Sequence, residues 1–327
     1  MRSMMTVAET SSLIQNGRRL FVSGEERLLT QLPRGAWVGG TIPYFMTEDG
    51  GLCSHDKVQV SALPEFVTDA TIKFYGAAEL AHIPSDYKPN GFSYVVIPAQ
   101  TNAHQTFAKD CSTWTGVFNR PLFGWISGVH LDQLGKVKPR VVNGQTGDAS
   151  DSDAVVMHLD LPAGKYALLN TINLFHQGKG DTITFSTSGF EVSSCCINGK
   201  EQNFAEYLTS KMTDTHLPLV ADYMGAMVNV SFQRVDATSG KVALYAPVFR
   251  GVEYRIAAPV GDYECEFSRQ IAQQHVEAVF SCNCILNYLY AKLEGKKTGD
   301  IVGPMTFGEI AYMLLNQTLV YLTFENK

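Results

Sequence analysis

The sequence predicts an α/β fold of the α+β kind, in two sub-domains with mixed, largely antiparallel sheets flanked by helices. Three observations carry this expectation. Short runs of β-branched and aromatic residues, bounded by Gly, Pro and Asn, outnumber the stretches with helical periodicity. Strand-turn-helix steps near residues 197–208 and 278–294 rule out an all-β chain. A length of 327 residues is long for one hydrophobic core and favours two domains or sub-domains.

In chain order, Ser23-Gly24-Glu25-Glu26 reads as a helix start, with Ser23 as cap and Glu26 as its capping-box partner. Leu28, Leu29 and Leu32 supply its apolar side, and Pro33-Arg34-Gly35 stops it. Residues 36–42 form a buried strand ending in Gly39-Gly40-Thr41, a turn whose backbone N–H groups can cradle an anion or serve as tight packing. Gly50-Gly51 reads as a hairpin turn between 44–46 and 57–60, and 71–74 and 94–98 read as further strands. A helix begins at His104.

Residues 122–131 are a nearly uncharged strand broken by Gly124 and Gly128, with Ser127 and His130 as its polar side chains. His130 is either a pocket group that titrates near neutrality or a satisfied rim histidine. Residues 143–153 are Gly-rich and acidic, an exposed loop. Asp148, Asp151 and Asp153 lack the central Gly and terminal Glu of a calcium loop, so no metal is expected there.

A strand at 154–161 precedes an expected hairpin of 173–176 and 182–185 around Gly178-Lys179-Gly180-Asp181. Residues 190–197 read as one strand, placing Cys195 and Cys196 on opposite faces. Asn198-Gly199 is a strong hairpin signal, and 203–208 carry helical spacing. Strands at 244–249 and 252–257 flank Gly251, a helix covers 267–272, and a strand at 278–282 leads into helical spacing from Ile285 to Leu293. Cys282-Asn283-Cys284 thus stands at a strand-to-helix turn, where free N–H groups lower a thiol pKa.

The last stretch reads as strand, short loop, strand. It has a Gly303-Pro304 turn, a Gly308-Glu309 step and an alternating run at 318–324. Glu309 is its one charge before Glu325, and such a carboxylate must reach water or find donors. A surface Glu on an edge strand and a Glu at the rim of a pocket both satisfy that demand.

Gly303 to Ile310, with Thr306-Phe307-Gly308-Glu309 inside it and Asn316-Gln317-Thr318 beyond, resembles the C-terminal signature of FIST domains. These are intracellular sensory modules that bind small ligands, amino acids among the candidates. The strand, Asn198-Gly199-Lys200 turn and helix are similar to the opening of the family's C-terminal half, and Ser281-Cys282 to the strand before its Gly-Glu hairpin. The family's following Gly-Arg type step is replaced here by Asn283-Cys284-Ile285, which removes an expected cation and argues against an acidic ligand. The resemblance implies a ligand-binding half at 1–190 and a second half at 191–327. It also implies a pocket between them built from Gly40, Thr41, Ser127, His130, Cys282, Asn283, Cys284, Thr306, Phe307 and Glu309. In that pocket Glu309 would accept a hydrogen bond from an amine or amide.

Composition narrows the alternatives. A net charge of −6, with only Arg18-Arg19 and Lys296-Lys297 as basic clusters, argues against nucleic acid. No apolar leader and no membrane-length apolar window occur, so a cytoplasmic protein off the membrane is expected. Seven cysteines are an odd number, which fits reduced thiols and makes the sequons at Asn229 and Asn316 chance matches. No Walker motif, GxSxG, HExxH or dinucleotide fingerprint is present. The expectation is therefore a stand-alone sensory protein with no cofactor, no catalytic residues and a separate signalling partner. Its rivals are a hydrolase using Cys282 or Cys284 with His130 or His275 as base, and a non-catalytic interaction protein. Cys282-x-Cys284 lacks the further ligands that a soft-metal site needs.

Overall fold

The side chains of the Gly91–Pro98 strand fall alternately into two hydrophobic cores, and the molecule is arranged around that division. Phe92, Tyr94 and Val96 enter one core while Val95 and Ile97 enter the other, the period of two that a pleated strand imposes. Ala154–Asp160, antiparallel to it, does the same with Val155 and Met157 against Ala154 and Val156. The computed structural model describes residues 3–274 and 277–326. The fold is α/β, with mixed and largely antiparallel sheets.

The central sheet runs Met313–Leu315, Glu309–Ala311, Leu122–Ser127, Gly91–Pro98, Ala154–Asp160 and Ala70–Tyr75. On one side it shares a core with two further six-stranded sheets. One contains Leu20–Gly24 parallel to Trp37–Thr41, and the other contains Phe280–Cys284 parallel to Gly303–Thr306. Phe21 stacks on Tyr94 at 3.8 Å, and Phe123 and Phe280 meet Tyr94 at 5.3 and 5.0 Å. Each such fully buried ring or aliphatic chain is worth about 1.5–3 kcal/mol relative to exposure.

The other side of the central sheet carries the Asn102–Asp110 helix and a module spanning residues 183–256, which holds a six-stranded and a three-stranded sheet of its own. Its ends leave and re-enter together, since Gln177 bridges Ala257. A buried amide network ties it to the C-terminal strands. The Asn229 amide donates to Asn173 at 2.9 Å and to the Asn316 carbonyl at 3.1 Å, and the Ser231 hydroxyl donates to Gln317 at 2.7 Å. Both sequon asparagines are therefore buried structural groups.

Several local expectations are corrected. Ser23 lies inside the Leu20–Gly24 strand with its hydroxyl on Gln59, so the short Glu26–Leu29 helix starts without it. Tyr44–Thr47 pairs with Gly50–Cys53 across Glu48-Asp49, which makes Gly50 and Gly51 strand residues, while Val58–Ala62 joins a different sheet. Residues 141–150 form a small hairpin where a loop was expected. Residues 173–176 form no strand, and Ile183–Thr184 pairs with Ser194–Ile197. The expected strand at 190–197 is two strands in two sheets, as are those around Gly251. Gly303-Pro304 begins a strand antiparallel to Tyr44–Thr47. Asn198-Gly199 is the tight turn expected, both residues at positive φ between paired Ile197 and Lys200. The expected division at residue 190 cuts through the module. Strands from both sides of that division share sheets, for Lys165–Ile172 pairs with Leu319–Asn326 along its whole length. Among the described residues no helix is long and apolar enough to cross a membrane.

Candidate functional site

Strand ends bring most of the expected site residues to one place. Gly128 donates its N–H to the Thr41 carbonyl at 2.7 Å, and a Cβ at Gly40 would lie 3.2 Å from that of Ser127. Phe307 donates to the Ile126 carbonyl at 3.1 Å, and its ring fills the space beside Gly128, 2.5 Å from where a Cβ would sit. Cys284 is paired with Thr306, and Glu309 with Trp125. Thus Gly40, Thr41, Ser127, Cys284, Thr306, Phe307 and Glu309 form one knot. Cys282 and Asn283 lie just behind it on the Phe280–Cys284 strand. His130 lies outside, stacked on Tyr44 at 5.5 Å.

The knot is mostly packing and not an open pocket. Glu309 is fully buried and accepts from the Thr306 hydroxyl at 3.0 Å and the Thr318 N–H at 3.4 Å. Burial pushes its carboxyl well above the usual range, and those donors only partly offset it. Glu309 is therefore no rim acceptor, because strand pairing closes water off from both sides of it. Thr306 is equally enclosed. Cys282 turns its thiol to the Gly124 carbonyl at 3.4 Å, and Asn283 spends its side-chain oxygen on the Cys284 N–H and on Asn287. Burial, then the Glu309 carboxyl, push the Cys282 and Cys284 thiols well above their ordinary value. The helix terminus that sequence alone credits with activating them is outweighed by desolvation. That removes the support for a cysteine nucleophile. His275, its other expected base, lies outside the described residues.

Two of the expected residues, Cys284 and Phe307, wall a cavity of about 400 Å³ between the body and the three-stranded sheet of the module. Thr41 and His130 face a separate cleft of about 390 Å³. His104, which the sequence marks only as a helix position, lines this cavity together with Gln105, Glu191 and Asn316. Thr101 caps the Asn102–Asp110 helix by accepting the His104 N–H at 3.1 Å. Gln100, at φ +63°, turns its own N–H to His104 Nδ1 at 3.3 Å. Burial lowers the pKa of this imidazole to about 4, so the ring is neutral. With Nδ1 accepting, the proton sits on Nε2, and that N–H is buried without a hydrogen-bond partner among the described residues. A donor thus stands beside Phe190, whose ring meets the imidazole edge-on at 5.8 Å. A capping Thr three residues before a His was the only sequence signal for it, and that marks a helix start, not a site.

No curated protein and no solved structure matches the chain. A family model described as a family of unknown function matches residues 5–325, and the chain belongs to that family, DUF6976.

Proposed function

We propose that this protein is a cytosolic ligand-binding module of the FIST sensory type, holding a small metabolite in the cavity between body and module and signalling to a separate protein. The observation that carries it is His104 in the cavity wall, whose Nε2–H is buried with no partner among the described residues. An unpaired buried donor costs about 1–3 kcal/mol, which a ligand acceptor recovers on binding. The cavity volume falls within the roughly 300–1,000 Å³ of small-molecule pockets. Its walls are apolar at Phe190, Leu286, Leu289 and Phe307, amidic at Gln105 and Asn316, and acidic at Glu191, whose carboxylate is paired with Lys241 at 2.7 Å. A carboxylate or carbonyl at His104 with an apolar body against Phe307 fits this lining, and amino acids with apolar side chains are the first class to test. Being neutral, His104 selects for an acceptor by hydrogen bonding and not by charge.

A thermal-shift screen of the purified protein against amino acids, small carboxylates, amines and nucleotides tests this. A ligand at about 100 times its dissociation constant adds roughly 2.7 kcal/mol, a shift of a few degrees for a chain of this size. The shift is expected to vanish in His104→Leu and to persist in His130→Ala, whose residue faces the other cleft. A flat screen, with no small molecule retained in native mass spectrometry, ends the proposal.

A further inference from the structure

Where the chain leaves the Gly50–Cys53 strand, Cys53 and His55 meet His130, and one ligand atom from each lies within 4.8 Å of the other two. Cys53 Sγ is 3.9 Å from His55 Nε2. The other nitrogen of that ring, Nδ1, lies 2.6 Å from Glu25 Oε1. A carboxylate at that distance holds the proton on Nδ1 and leaves Nε2 a lone pair facing the thiol. This is how metal-binding histidines are oriented in general, by a carboxylate behind the ligand. Glu25 is itself fixed by Arg27, which donates to its second oxygen at 3.0 Å. His130 is held by its stack on Tyr44 and has the Asp132 carboxylate 3.7 Å from its Nδ1.

We propose that Cys53, His55 and His130 form a zinc-class metal site with three protein ligands and a fourth position left for water or substrate. Zn–S bonds of about 2.3 Å and Zn–N bonds of about 2.0–2.1 Å put the S···N edge of a tetrahedron at roughly 3.6 Å. The Cys53–His55 distance needs to close by only a few tenths of an ångström, and exposed His55 and half-buried His130 have room to rotate. One thiolate and two imidazoles suit zinc and its transition-metal neighbours and disfavour calcium and magnesium. Burial, with Glu25 and Glu294, raises the pKa of the Cys53 thiol in the metal-free protein. Those same carboxylates attract a dication, whose charge reverses the balance and takes the sulfur as thiolate. The Cys-x-His spacing was the sequence signal, incomplete without a third ligand 75 positions on.

The test is calorimetric titration of the chelator-treated full chain with Zn²⁺, and titration with Co²⁺ followed by absorption. One equivalent is expected to bind, with a thiolate-to-cobalt charge-transfer band that Cys53→Ser abolishes. His55→Ala and His130→Ala each weaken binding at least about tenfold, and Glu25→Gln weakens it about 10–100-fold with every ligand intact. Absence of stoichiometric binding overturns the proposal. Binding that survives Cys53→Ser and His130→Ala unchanged also overturns it, since that marks an adventitious ion only.

Discussion

Three buried titratable side chains set how this protein responds to pH, and they pull in opposite directions. His104 and His158 both have pKa values lowered to about 4 by burial. His158 is neutral between the Ser93 and Tyr75 hydroxyls, each at 2.8 Å. Their unfolded value is 6.5, so the unfolded chain takes up two protons that the folded chain refuses as pH falls from there to about 4. Each costs about 1.4 kcal/mol of stability per pH unit in that window. Glu309 works the other way, because its folded pKa stands well above its ordinary 4.5. Its contribution is complete below that ordinary value and is lost as pH rises through the raised one. Between about pH 4.5 and 6.5 the two histidines outweigh the one carboxyl. Stability should therefore fall as pH drops from about 6.5 towards 4.5, by at least about 1.4 kcal/mol per unit. Urea unfolding from pH 4.5 to 8 checks this. Glu309→Gln should steepen the acid limb, and an unchanged profile would mean that Glu309 is ionised in the fold.

At the scale of elements, the parallel pairing of Gly91–Pro98 with Leu122–Ser127 depends on Gly124. This residue sits opposite Val95 at φ +152°, and a Cβ there would lie 1.7 Å from the Val95 carbonyl oxygen. The obstacle is backbone on the central strand, which cannot swing aside. Gly124→Ala should therefore cost about 3 kcal/mol or more, measured by chemical denaturation, whereas Gly180→Ala, with open space around it, should change little. Gly124 also shows what was legible in the sequence. Strands such as 94–98 and 154–161 could be read from their local runs of β-branched and apolar residues, as could the Asn198-Gly199 turn from its two residues. Partners could not be read. Val58–Ala62 pairs with Leu20–Gly24 and not with the neighbouring 44–47, a choice made by contacts distant in sequence. The site follows the same rule. The convergence of Thr41, Ser127, Cys284 and Phe307 was anticipated, but Glu309 was placed at a rim because nothing near it in sequence reveals the Leu122–Ser127 strand that covers it. His104 went unnoticed because its open donor is created by packing against Phe190, 86 positions on.

At the scale of the whole molecule, the cavity lies at the junction of two parts that share one core. Val95, Ile97 and Phe107 of the body cluster with Leu219, Val242 and Tyr254 of the 183–256 module. Separating the parts would expose that apolar surface and exchange the Asn229–Asn316 hydrogen bond for water, a net loss of about 0.5–1.5 kcal/mol. Body and module are therefore expected to unfold in one transition. The chain supplies a convenient pair of probes. Its three tryptophans, Trp37, Trp114 and Trp125, all lie in the body, whereas far-ultraviolet circular dichroism reports the strands of both parts. Urea midpoints by the two signals should coincide. A circular-dichroism transition that starts before the fluorescence changes would show the module opening first, and the shared core would then be too weak to act as one. If they coincide, a ligand bound against His104 and Phe190 touches both parts of a single cooperative unit. It should raise both midpoints by the same amount, and occupancy of the cavity would then be felt along the whole central sheet.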